Sequence, residues 1–301
     1  MTPPLLRMFS IKANSSPKEI RNCYVYYFFL CALIFLSTSV FYKYSIMKDL
    51  FNYEELISRN YQYIAPKTQE KIQKTRLVFL GTGLSSTIAE CCTRLGFTKI
   101  YLQDGDTIEF SNLNRQAFSI HDMHKSKAVA LKNKLLAINS LCDIQANTNY
   151  IKSIHECSEQ INQGDIIINT IDCNKTYFDI IEYARTQNKL VICPFNPGFS
   201  GLAVAFNQNS CSSYEFFGIN HQYHLNDLEV AKQLFIKYPQ INTLKQANQS
   251  LDQFLETITT QGYFPQIIIG ALMTTALVLT MMIKFLNDEP IALAPDIDFK
   301  K

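Results

Sequence analysis

No two of the nine cysteines form a CxxC pair; they fall at Cys23, Cys31, Cys91, Cys92, Cys142, Cys157, Cys173, Cys193 and Cys211. Tetrahedral zinc usually takes two thiolates from one such turn, so no structural zinc is expected. The count is odd and nothing signals secretion, so the thiols read as free side chains buried in a reducing compartment. An excess of one charge is also missing: 28 Lys and Arg against 26 Asp and Glu leave a formal +2. Without that excess, and with no basic stripe interleaved with aromatics, nucleic-acid binding is not expected. Repeats and low-complexity tracts are absent. Charge itself is missing from two long runs, CYVYYFFLCALIFLSTSVFY at 23–42 and the stretch 264–283.

With 47% hydrophobic and 18% charged residues over 301 positions, the chain can bury a sizeable core. From Met47 onward the pattern is that of an α/β protein. Short helices are expected at 49–59 and 66–74. RLVFLGTG, 76–83, is a continuous apolar run ending in glycines, as a buried parallel strand should be. A helix at 84–95 and the strand KIYL, 99–102, complete a β-α-β unit, and 121–139 reads as the next helix. Strands follow at 143–148, 165–170, 190–193 (ended by Pro194) and 202–206, with a helix at 175–186. The alternation predicts a doubly wound, mostly parallel sheet with helices on both faces. Residues 207–262 read as an insertion over the sheet, with helices near 227–235 and 244–257. The uncharged run 264–283 is expected to be a helix buried in the core or in a dimer interface.

Gly81-Thr82-Gly83 ends the first strand and opens a helix, where backbone N–H groups and the helix dipole can hold phosphates. Ser86 occupies the third glycine position of the dinucleotide fingerprint, so this element alone is weakly diagnostic. Asp104 ends the second strand, where an acidic residue can bind ribose hydroxyls. The chain then runs through Gly105 and Asp106 into a polar loop carrying Asn112 and Arg115, which suits a polyphosphate.

DGDTIEFSNLNRQ, at 104–116, resembles the hallmark of the ThiF/MoeB/HesA family of adenylating enzymes. SRNYQYI at 58–64, Gln69, Lys71, Lys127 within HKSKAVALKNKLLAIN, and Asp172 after DIIINT extend the resemblance. It implies a Rossmann-like fold of ThiF/MoeB type and ATP-dependent adenylation of a carboxylate. That carboxylate is usually the C-terminus of a ubiquitin-like or sulfur-carrier protein or peptide, and pyrophosphate leaves. The implied roles are Asp104 on the ribose beside Asp106, with Gly81 and Gly83 in the turn. Asn112, Arg115 and Lys127 would meet the phosphates, Asp172 would hold Mg²⁺, and Arg59 would reach the ATP of a partner subunit in a homodimer. Gln116 is expected to support the loop. Lys125, two residues from Lys127, could compete for its role. Two departures stand out. Ser85 and Ser86 put side chains where the backbone should approach phosphate, and Cys211 stands alone where a metal-binding pair would begin. A thioester role for Cys211 gains no support from its sequence neighbours.

Residues 23–42 are long enough to cross a membrane and lack the cleavage site of a signal peptide. Arg7, Lys12, Lys18 and Arg21 precede the run, against Lys43 and Lys48 behind it. The positive-inside rule would then place the remaining chain outside the cytoplasm, where an ATP-using domain makes little sense. Two readings stand: a cytoplasmic domain anchored through 23–42, or an untranslated leader, 1–46, with the start at Met47. The function also has rivals, namely a catalytically degenerate scaffold that binds nucleotide or only a partner, and an NAD(P)-dependent oxidoreductase.

Overall fold

The computed structural model describes residues 52–219, 226–239, 250–261 and 264–300, all within the unit Asn52–Lys301. The expected anchor, the alternative start at Met47, and residues 244–249 of an expected helix lie outside the described residues.

A seven-stranded sheet of order β3-β2-β1-β4-β5-β6-β7 organises the fold. Its strands are β1 (Arg76–Leu80), β2 (Lys99–Gln103), β3 (Asp143–Asn147), β4 (Ile166–Asn169), β5 (Leu190–Phe195), β6 (Gly201–Phe206) and β7 (Asp298–Lys300). The first five pair in parallel, and β6 and β7 add antiparallel. Leu77, Val78, Phe79 and Leu80 of β1 are fully buried, as the unbroken apolar run required. Leu77 and Phe79 join one core and Val78 and Leu80 the other, following the two-residue period of a strand.

The first core lies against helices α3 (Ser85–Leu95), α4 (Lys127–Ile138) and α10 (Ile268–Leu286). The second takes α5 (Ser158–Gln163), α6 (Lys175–Thr186), α7 (Ser213–Phe217), α8 (Asp227–Lys237) and α9 (Leu251–Gln261). The short α1 (Tyr53–Ile57) and α2 (Pro66–Lys74) precede the sheet. Buried Gln69 donates to the Leu95 carbonyl at 2.8 Å, and Lys71 reaches the Leu286 carbonyl, so α2 satisfies the open C-terminal ends of α3 and α10.

Three boundaries differ from the sequence reading. The helix expected from residue 121 begins only at Lys127, because Ser126 caps it and residues 120–122 form a separate turn of 3₁₀ helix. β5 runs through Pro194 to Phe195: past Ile192 it has only β6 beside it, so a missing N–H is tolerated. The helix expected from residue 49 spans only Tyr53–Ile57 among the described residues.

The apolar run at 264–283 becomes α10, a 19-residue helix long and apolar enough to cross a membrane. Its packing is that of a core helix, with Ala271, Leu277, Val278, Met281 and Met282 fully or almost fully buried. Its buried threonines are satisfied within the fold: Thr274 donates to the Phe195 carbonyl and Thr275 meets Thr87. One apolar stripe stays open, with Ile268 42%, Ile269 45% and Leu272 53% exposed.

Candidate active site

The strand order reverses at β1, which pairs with β2 on one side and β4 on the other. In open parallel sheets, the crevice at the C-terminal ends of such strands is where ligands bind. Here that crevice receives the glycine turn after β1, Asp104 after β2 and Asp172 after β4.

Gly81 has φ +84°, and a Cβ there would stand 2.7 Å from the Thr170 backbone, so only glycine lets β1 leave the sheet this tightly. Asp104 holds the turn: one carboxylate oxygen accepts from the Thr82 N–H at 2.7 Å and the Thr82 hydroxyl at 2.9 Å. Its other oxygen accepts from the Asp106 N–H at 2.8 Å. Asp104 and the turn therefore move as one piece, beside the N-terminus of α3.

Ser85 and Ser86 do not intrude on that crevice as the sequence suggested. Both are fully buried. Ser85 donates to the Gly81 carbonyl at 2.6 Å and Ser86 to the Gly83 carbonyl at 2.7 Å. The Ser86 hydroxyl also accepts from the Ala117 N–H at 2.9 Å, which straps the glycine turn to the end of the SNLNRQ loop. Ser86→Ala should therefore lower stability by about 1–2 kcal/mol, measured by urea unfolding, because a backbone donor loses its acceptor. Restoring glycine at this position should be no better than alanine.

Gln116 packs on Gly83, its Nε2 lying 3.2 Å from where a Cβ would be, so it supports the turn as expected. Asn112 is buried, and its side-chain oxygen accepts from the Glu109 N–H at 3.0 Å. Arg115 donates to the Ser111 carbonyl and the Asn114 side chain, both at 2.8 Å, and to the Gln266 side chain. All three acceptors are neutral. Burial pulls this guanidinium below its ordinary value, with no carboxylate to oppose the effect. A half-buried cation held only by neutral oxygens has charge to offer an anion.

Lys127, the first residue of α4, is buried, and its ammonium lies 2.7 Å from Asp106. Lys125 pairs instead with Asp122 at 3.5 Å and is half-exposed. Burial opposes the charge of Asp106, but the Lys127 ammonium and the Tyr150 hydroxyl outweigh it and hold the carboxyl below its ordinary value. Tyr150 donates to Asp106 at 2.9 Å; that bond, with the charges of Asp106, Asp104 and Asp172, pushes the phenol up.

Asp172 is exposed past the end of β4, and it is Asn174 that caps α6. No group of three or more His, Cys, Asp or Glu is placed to hold a metal among the described residues. Magnesium bound mainly through phosphate oxygens and water needs only one or two carboxylates, so Asp172 fits that ion. Arg59 is not brought to the crevice. It is exposed and without an ion-pair partner among the described residues, and the next residue, Asn60, donates to the Leu95 carbonyl at the far, C-terminal end of α3. Cys211 is partly exposed; burial first and Glu215 second push its thiol up, against weaker opposition from Lys237 and Arg185. No disulfide joins the seven described cysteines.

Two residues of the site had no sequence signal. Gln266 accepts from Asn114 through its carbonyl at 3.1 Å and from Arg115 through its side chain, which docks the loop on the lead-in to α10. Tyr150 lies beyond β3 and borders an open pocket of about 500 Å³ with Gln103, Asn147, Thr148, Asn149, Lys152 and Glu156.

The pattern described as the ThiF family matches residues 57–295. A probable molybdopterin-synthase adenylyltransferase of Porphyra purpurea is 32% identical over 154 residues, covering 50% of this chain and 40% of that protein. The sulfur carrier protein ThiS adenylyltransferase of Bacillus subtilis is 32% identical over 113 residues, 36% of this chain and 33% of that protein. The aligned stretches thus span well under half the length of either relative. Among solved structures, E. coli MccB with ATP has a TM-score of 0.59 at 20% identity, covering 96% of this chain and 79% of that one. The microcin C7 biosynthetic enzyme MccB with N-formylated MccA has a TM-score of 0.61 at 20% identity, covering 96% and 80%. These structural likenesses bear on the fold.

Proposed function

Because the chain belongs to the ThiF family, we propose that it uses ATP to adenylate the C-terminal carboxylate of a small carrier protein or peptide. The observation that carries this reading is Arg115, a half-buried guanidinium held only by neutral acceptors beside a glycine turn. The relatives named as adenylyltransferases, and MccB solved with ATP and with MccA, support it.

In this reading Asp104 takes the ribose hydroxyls, and the base enters the pocket bordered by Tyr150. The Gly83 N–H, Asn112, Arg115 and Lys127 face the phosphates, while the Gly81 and Thr82 N–H groups hold the turn through Gln103 and Asp104. The carboxylate attacks the α-phosphorus, the bond to the bridging oxygen breaks, and pyrophosphate leaves. Negative charge gathers on phosphate oxygens during that step, so cations fixed beforehand stabilise the transition state more than the ground state. Asp172 would hold Mg²⁺, which neutralises phosphate charge when bound. The work of this domain belongs where ATP is, in the cytoplasm, with 23–42 as its anchor where that segment is present.

A homodimer completes the reading. The open stripe Ile268, Ile269 and Leu272 suits a second copy, and Arg59 is free to reach that copy's nucleotide. Leu272→Asp should yield a monomer in sedimentation velocity with a loss of exchange activity. A dimer surviving the change, or a monomeric parent protein, would count against this part.

The test of the activity is magnesium-dependent ATP–pyrophosphate exchange with a panel of small proteins and peptides bearing free C-termini. No exchange with any of them would leave the scaffold reading, in which titrating Mg·ATP gives either no heat or binding without turnover. That reading drew on the GTGLSS turn, whose Ser85 and Ser86 turn away from the crevice, and on the missing cysteine pairs.

A further inference from the structure

We infer that Tyr150 is a positioning residue for Lys127, acting through Asp106. The consequence for catalysis rests on the adenylation reading, but the geometry does not. Tyr150 is 58% exposed, so burial does not account for its place. Its ring nevertheless lies hard against Gly105: a Cβ on that glycine would meet three ring carbons at 2.4–2.6 Å. That close approach delivers the hydroxyl to Asp106 Oδ1 at 2.9 Å. The other oxygen, Oδ2, takes the Lys127 ammonium at 2.7 Å.

Each oxygen of Asp106 thus has one directed partner. A carboxylate on a rotatable bond and held at one oxygen alone could swing, carrying the lysine with it. Fixing the second oxygen from the Tyr150 side leaves Oδ2 a single direction, along which Lys127 lies. The lysine side chain is only 10% exposed, so water has little part in placing its charge. Its backbone is fixed by the same neighbour, since the Lys127 N–H donates to the Asp106 carbonyl at 3.0 Å. A preorganised cation is worth most in the transition state, so loss of the strut should appear in kcat.

Tyr150→Phe keeps the ring on Gly105 and removes only the hydroxyl. We expect Tm to shift by less than about 1 °C and kcat of exchange to fall about tenfold, with KM for ATP changing less than about twofold. Tyr150→Phe combined with Lys127→Met should be no worse than Lys127→Met alone, since both act through one ammonium. Additive losses, an unchanged kcat, or a fall confined to KM would overturn the proposal. A readout independent of activity is competitive acetylation of the lysines, followed by mass spectrometry without nucleotide. Lys127 should react several times faster in Tyr150→Phe than in the parent, while Lys125 is unchanged; equal rates at Lys127 would overturn it. Were the parent protein to show no exchange at all, the adenylation reading would fall and the acetylation result would still decide the role of Tyr150.

Discussion

Replacing Arg115 with alanine should lower carrier-dependent ATP–pyrophosphate exchange by about a thousandfold, or ~4 kcal/mol of transition-state stabilisation. The size of the effect follows from what surrounds the side chain. Its three acceptors are the Ser111 carbonyl and the amide oxygens of Asn114 and Gln266, so no charge in the fold consumes its own. Burial already works against the cation, and a half-buried charge is kept at a cost that an incoming phosphate would offset. Lysine should rescue poorly, because it cannot donate to Gln266 and to phosphate from one planar fork. Folding should be nearly indifferent to the change, with unfolding free energy moving by about 1 kcal/mol or less, since hydrogen bonds are lost along with an uncompensated charge. Parallel exchange assays and urea melts separate the two effects. Activity within tenfold of the parent would mean that Arg115 is a loop strut.

Gly81→Ala should act through the fold instead. A side chain at φ +84° is strained, and its Cβ would also stand 2.7 Å from both the carbonyl carbon and the oxygen of Thr170. Backbone cannot retreat as a flexible side chain can, so a loss of about 3 kcal/mol or more is expected. The turn would shift with it, drawing Thr82 from Asp104 and removing Mg·ATP binding in calorimetry. Gly83→Ala provides the contrast. There the nearest atom is the Gln116 amide at 3.2 Å, which can swing aside, so about 1 kcal/mol is expected. Equal costs at both positions would show that the turn is governed by something other than the approach to Thr170.

Much of the sheet was legible because its physics is local. A strand buried on both faces must be apolar throughout, and RLVFL is. Asp104 stood out as an acidic residue ending a buried strand, and Asn112 and Arg115 as members of a polar loop behind it, whereas Lys127 and Asp172 entered only through the family resemblance. What escaped depended on tertiary direction. The sequence shows hydroxyls at Ser85 and Ser86 but not that they turn inward to the carbonyls of Gly81 and Gly83. Lys127 looked like a mid-helix residue, whereas Ser126 caps the helix and puts the lysine in its first turn. Tyr150 and Gln266 lie 44 and 151 positions from the residues they hold, so nothing local marks them. Arg59 has no ion-pair partner among the described residues, and the role proposed for it depends on a second copy.

The central claim is that a bond forms between a carboxylate oxygen and the α-phosphorus of ATP. It is tested most directly by labelling a carrier's C-terminal carboxylate with ¹⁸O and following the label into AMP after the acyl-adenylate is cleaved at its carbonyl carbon. Adenylation predicts one ¹⁸O in the AMP phosphate, dependent on magnesium and lost in Arg115→Ala. AMP formed without label, or ADP and unlabelled phosphate in its place, would contradict it.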